Sequence, residues 1–117
     1  MKRYLTLSIL MGLLIVACSK DDDDEPMTGC DTENITYTNT VSDIFNMNCT
    51  FSGCHSSGSV NGSLATYDDA VNFVQNRPII MALRREPGVE PMPRNMDKLP
   101  SCTIDKIEAW INDGTPE

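Results

Sequence analysis

The chain of 117 residues has one histidine, and it directly follows a cysteine, as Cys54-His55. A second cysteine, Cys49, lies five positions earlier, and Met92 stands much later between Pro91 and Pro93. Thiols, imidazoles and thioethers bond metals and unsaturated carbon, so chemistry is expected in the segment Cys49-Thr50-Phe51-Ser52-Gly53-Cys54-His55. Three outcomes compete for it. The thiols can close a local disulfide, they can bind a metal together with His55, or they can attach a cofactor that His55 then ligates.

A cysteine immediately followed by histidine ends a c-type haem attachment site. The thiol adds to a haem vinyl group and the adjacent imidazole reaches the iron from the same side, while a second cysteine bonds the other vinyl. The usual spacer between the cysteines has two residues, and here there are four. On a regular helix a step of three residues turns the side chain by about 300°, so both thiols share a face. A step of five turns it by about 500° and leaves the thiols roughly 140° apart. The segment must therefore bulge, and Gly53 supplies the backbone freedom.

The elements that position this segment are expected to be helices. Val41, Ile44 and Phe45 share one face of a helix over 41–48, after an extended lead-in from Cys30 to Tyr37. Cys49 to Ser63 is rich in Ser, Gly and Asn and reads as a loop. Thr66 caps a second helix that carries Asp68 and Asp69 in its first turn and buries Ala70, Val71 and Val74. Pro78 opens a third through Ile79, Ile80 and Leu83, with Met81 in its core and Arg84 and Arg85 near its C-terminus. Four prolines from Pro87 to Pro100 impose an extended path. In the last helix Thr103 is the cap, Ile104, Ile107, Trp110 and Ile111 form the apolar stripe, and Gly114 is the stop. The expected fold is mostly α, a small domain of three to four helices with long loops.

Ile44-Phe45, Cys49, Cys54-His55, Tyr67-Asp68, Met92-Pro93 and Ile107…Trp110-Ile111-Asn112-Asp113-Gly114 follow one another in an order that resembles small bacterial cytochrome c domains. The resemblance covers roughly Thr36 to Thr115. It implies one covalent haem c held by Cys49, Cys54 and His55, with a late Met-Pro pair giving the sixth ligand and the closing helix packing on the first. With a single histidine, bis-histidine ligation within one chain is excluded, which leaves methionine, a weak ligand or an empty position opposite His55; Met92, stiffened by Pro91 and Pro93, is the expected ligand and Met96 the reserve. Trp110 and Ile107 are expected to wall the pocket. The haem reading leaves Cys30 and Cys102 to pair as a disulfide, and implies electron transfer with a redox partner protein and no catalysis.

Lys2 and Arg3 precede a largely apolar run from Tyr4 to Ala17, which fits a signal peptide and falls short of the ~20 residues that span a bilayer. Ile15-Val16-Ala17-Cys18 resembles a bacterial lipobox, which implies cleavage after residue 17 and a lipid anchor on Cys18. The linker that follows, through residue 29, contains Asp21-Asp22-Asp23-Asp24-Glu25, five carboxylates that repel one another and stay solvated. It resembles the acidic sorting signal of surface-displayed lipoproteins in some Gram-negative bacteria. The expected location is thus the cell envelope, as an outer-membrane lipoprotein, with residues 30–117 as the domain.

Composition narrows the rest. Nine basic residues against 17 acidic ones, a net charge of −8, are too few to neutralise phosphates, so nucleic acid is not a partner. The acidity points to a basic protein partner, although much of it lies in the linker. A chain this short is one small domain whose core gains from a disulfide or a buried cofactor. Two rival readings use the same residues. One is a cofactor-free binding or interaction lipoprotein stapled by Cys49–Cys54 and Cys30–Cys102. The other is a zinc site of Cys49, Cys54, His55 and either Cys30 or Cys102, which an oxidising compartment disfavours. The Asn-X-Ser/Thr matches at Asn34, Asn48 and Asn61 carry no weight in a bacterial lipoprotein.

Overall fold

The computed structural model describes residues 29–117. The signal segment, Cys18 and the acidic linker lie outside them. Four α-helices follow a π-helical turn over Tyr37–Val41: α1 (Ser42–Asn48), α2 (Tyr67–Asn76), α3 (Ile79–Arg84) and α4 (Ser101–Asn112). No strand occurs among the described residues. The fold is mostly α, and no helix among the described residues is long and apolar enough to cross a membrane.

The first helical segment begins earlier than its apolar spacing implies. Thr36 Oγ1 accepts from the Asn39 amide at 3.1 Å, and Asn39 Oδ1 accepts from the Thr36 amide at 2.9 Å. This reciprocal capping box turns the chain at Thr36, so residues 37–41 wind into a wider turn ahead of the helix expected from residue 41, and Tyr37, expected at the end of the extended lead-in, belongs to that turn. Thr66 caps α2 as expected, accepting from the Asp69 amide at 3.2 Å. The cap of α4 is corrected. Pro100 occupies that position, its carbonyl accepting from the amides of Thr103 and Ile104, and Thr103 lies inside the helix. Pro78 likewise sits just before α3, outside its first turn.

The core gathers a few apolar side chains from each element. Val41 and Phe45 meet Ala70 and Val74, Ile79 and Leu83, and the α4 stripe of Ile104, Ile107 and Trp110, with Ile35, Leu64 and Leu99 added from loops. Phe45 stands edge-on to the fully buried Trp110, ring centroids 6.3 Å apart, which joins the first and last helices. The carboxyl-terminal tail is tied into the same cluster. Pro116 O accepts from both the Tyr37 amide and Trp110 Nε1, and Tyr67 Oη donates to Thr115 O at 2.8 Å. Gly114, at φ +86°, makes the left-handed turn that ends α4. Met81 is corrected: in a six-residue helix that buries Ile79 and Leu83, it falls on the open side and is 39% exposed.

Cys30 and Cys102 form a disulfide across 72 positions, pinning the lead-in to the first turn of α4. A closed loop of that length stabilises the folded state by about 4 kcal/mol in the chain-entropy model. Cys30→Ser with Cys102→Ser is accordingly expected to lower stability by that order, read as a fall in the denaturant midpoint with little change in slope. Arg84 adds a lesser link, bridging from α3 to Asp105 and Glu108 on α4. Such partly exposed pairs contribute up to about 1 kcal/mol.

Candidate functional site

The loop from Cys49 to Leu64 folds back on itself through its own backbone. Cys49 ends α1, its amide bonded to Phe45 O at 2.8 Å. A turn then brings the Cys54 amide to Phe51 O at 2.9 Å and the His55 amide to Cys49 O at 3.0 Å. Gly53, expected to supply backbone freedom for a bulge, takes the left-handed φ of +82°. Cys49, Cys54 and His55 thereby line one cavity of about 500 Å³, despite a separation that would divide the thiols on a regular helix. Both thiols are free, Cys54 exposed and Cys49 half-buried. Burial, and secondarily the charge on Cys54, push the Cys49 thiol up to about 11, so it remains protonated at neutral pH.

His55 is oriented on two sides. Its Nδ1 lies 2.9 Å from Gly62 O, and a carbonyl only accepts, so Nδ1 carries the proton. In the neutral ring this leaves Nε2 as the nitrogen with a free lone pair, the tautomer in which an imidazole binds a metal. The ring also stands edge-on to Phe73 of α2, centroids 5.0 Å apart at 79°. The loop then closes with the Leu64 amide on His55 O at 2.9 Å.

Gly62 makes this arrangement possible. It sits at φ +90°, and a Cβ there would lie 2.9 Å from Phe73 ring atoms and 3.2 Å from Arg77 Nη2. Gly62→Ala is expected to cost about 2 kcal/mol or more, from left-handed strain plus overpacking, and to swing the carbonyl away from His55. A lowered thermal midpoint, together with a changed His55 Nδ1–H resonance, would register both effects.

Across the cavity lies the proline-rich segment. The Met92 amide donates to Ala82 O at 3.0 Å, which ties the segment to α3, and Arg85 Nη2 donates to Met96 O at 2.6 Å. Met92 and Met96 both line the cavity, Met92 half-buried and Met96 49% exposed. The remaining apolar wall includes Leu64, Phe73, Ile79 and Leu83. Ile107 and Trp110, expected to wall the pocket, do not line it. They are spent on the core, and the cavity lies instead between the 49–64 loop, α3 and the late segment.

The donor set is suited to haem c: two thiols and a bare imidazole nitrogen on one wall, thioethers available from the late segment, and an apolar space in the range of small-molecule sites. It is poorly suited to zinc. Cys30 and Cys102, one of which the zinc site needs as fourth ligand, are joined to each other. No group of three or more His, Cys, Asp or Glu side chains placed to hold a metal ion occurs among the described residues. Sequence reasoning identified Cys49, Cys54, His55 and Met92 but missed Gly62, Phe73 and Arg77, for which no local motif exists. No family model matches the chain, and neither a curated protein nor a solved structure is detectably similar to it.

Proposed function

We propose that the protein is a membrane-anchored monohaem c-type cytochrome that transfers electrons. The observation that carries this reading is His55, its Nδ1 satisfied by Gly62 O and its Nε2 bare, on a cavity it shares with two free thiols and two methionines. Bound haem supplies one-electron exchange between ferric and ferrous iron. Cys49 and Cys54 would hold the macrocycle by thioether bonds, and the Gly62 carbonyl and the Phe73 edge keep the His55 ring in place. Met92, tied to α3 through its amide, would supply the thioether to the iron, and a His/Met pair gives a higher reduction potential than harder ligand sets. The apolar wall of Leu64, Phe73, Ile79 and Leu83 would shield that side of a bound haem from water, which lowers the reorganisation that each electron transfer demands. Cys18 would anchor the domain to the envelope through its lipid, the acidic linker serving as tether.

A test falls on Met92. Met92→Ala is expected to keep covalent haem while losing low-spin character, with imidazole binding about tenfold tighter or more once the sixth position opens. An unchanged spectrum would remove Met92 from that role and pass it to Met96. A second reading draws on the Cys30–Cys102 bond, which a cofactor-free, disulfide-stapled binding lipoprotein also requires. It makes the cavity a site for an apolar ligand and joins Cys49 to Cys54, two thiols that are free in the structure.

A further inference from the structure

The segment from Cys49 to His55 is a run of turns and not a helix, so its carbonyls are not paired with amides four residues on. Gly53 O and Cys54 O, on the two peptides that flank Cys54, accept from side chains instead. Ser59 Oγ donates to Cys54 O, and Asn61 Nδ2 donates to Gly53 O at 3.3 Å with Cys54 O at 3.5 Å. A carbonyl only accepts, so the amino end of the Asn61 amide faces both oxygens. The Asn61 backbone amide in turn donates to Ser59 Oγ at 3.2 Å, which joins the two residues into one unit. Gly62, next in the chain, holds His55 Nδ1 through its carbonyl. Residues 59–62 thus grip one dipeptide at both ends, the Cys54 backbone through side chains and the His55 ring through the main chain.

These bonds face solvent, for Asn61 is exposed and Ser59 half-buried. Hydrogen bonds that water can replace contribute little to folding. What the two side chains supply is direction. With glycines at 53, 58 and 62, all at positive φ, the loop backbone has little stiffness of its own. The four-residue spacer adds to the need, because no regular helix fixes the separation of the thiols.

We propose that Ser59 and Asn61 are positioning residues that set the Cys54 thiol and the His55 imidazole in register with each other and with Cys49, so that all three meet one planar ligand. This rests on the haem reading. Groups that must converge to within about 0.5 Å need neighbours that are themselves held, and here the neighbours act through Gly53 O and Cys54 O.

Ser59→Ala with Asn61→Ala removes both donors without adding charge, and Ser59→Thr keeps the hydroxyl. In the full chain without haem, thiols reduced, solvent exchange of the His55 Nδ1–H is followed by NMR. The double variant is expected to exchange about tenfold faster, with the thermal midpoint little changed and Ser59→Thr like the parent chain. The same chains, exported with a c-type maturation system, are then denatured in pyridine, where each vinyl group left unreacted moves the haem α band to longer wavelength. A misplacement of about 1 Å can cost about a hundredfold in rate, so the fraction of haem held by a single thioether should rise about tenfold in the double variant. A merely structural role lowers the yield of haem without changing that fraction. Unchanged exchange, or an unchanged thioether count, overturns the positioning assignment and leaves the haem reading standing. If the double variant fails to fold, Asn61→Ala alone, at an exposed side chain, decides by the same two readings. A parent chain that takes up no haem overturns both.

Discussion

His55→Ala is expected to abolish ligation by imidazole and with it the His/Met low-spin haem spectrum, because no other histidine exists to take the position. The thioether bonds of Cys49 and Cys54 do not depend on the imidazole, so some covalent haem should persist, high-spin and readily reduced in yield. The fold should also weaken, since alanine removes the bond to Gly62 O and the edge contact with Phe73. That Gly62 carbonyl lies in a partly buried loop, and leaving it without a donor costs about 1 kcal/mol or more. Adding imidazole from solution should restore the low-spin bands, which a purely structural role for His55 would not allow. The measurement is a pair of visible spectra, with and without imidazole.

Trp110→Ala is expected to bring the domain close to unfolding. Trp110 is wholly buried, contacts Phe45 and Tyr37, and donates from Nε1 to Pro116 O at 2.8 Å. Deleting a buried aromatic side chain costs about 3–5 kcal/mol. A domain of this size has about 5–13 kcal/mol to lose. The carboxyl-terminal tail should loosen as well, because Pro116 O then keeps the Tyr37 amide as its one donor and Thr115 O the Tyr67 hydroxyl. Thermal unfolding followed by circular dichroism would show a fall of many degrees. Trp110→Phe retains most of the buried area and should recover most of the loss. Since Trp110 does not line the cavity, the spectrum of molecules still folded should not change.

What the sequence disclosed follows from which interactions are local. The α4 stripe was legible because Ile104, Ile107 and Trp110 recur at helical spacing and Gly114 can end a helix only by a left-handed turn. Its start was not, because Pro100 and Thr103 both carry helix-start signals, and the carbonyl of Pro100 was the one that engaged. The turn at Tyr37–Val41 was hidden for a related reason. It is wound wider than 3.6 residues per turn, and its capping box uses Asn39 where Glu or Gln is the familiar partner.

The candidate site divides in the same way. Cys49, Cys54 and His55 lie within seven residues and announce themselves by type, and Met92 by its flanking prolines. Gly62 is set by a close approach of Phe73, eleven positions on, which no local pattern encodes. Arg77 reads as an ordinary surface cation until Phe73 is seen beneath it. The expectation that α4 walls the pocket failed because an apolar stripe records burial without recording which neighbour it is buried against.

The central claim, covalent haem on Cys49 and Cys54 with His55 on the iron, is tested most directly by one spectrum. The full chain, exported alongside a c-type maturation system, is denatured to strip non-covalent cofactor, then refolded and recorded reduced minus oxidised. The account predicts haem retained through denaturation, with sharp low-spin α and β bands after refolding. A colourless protein, with thiol counting that finds Cys49 and Cys54 joined to each other, would contradict it.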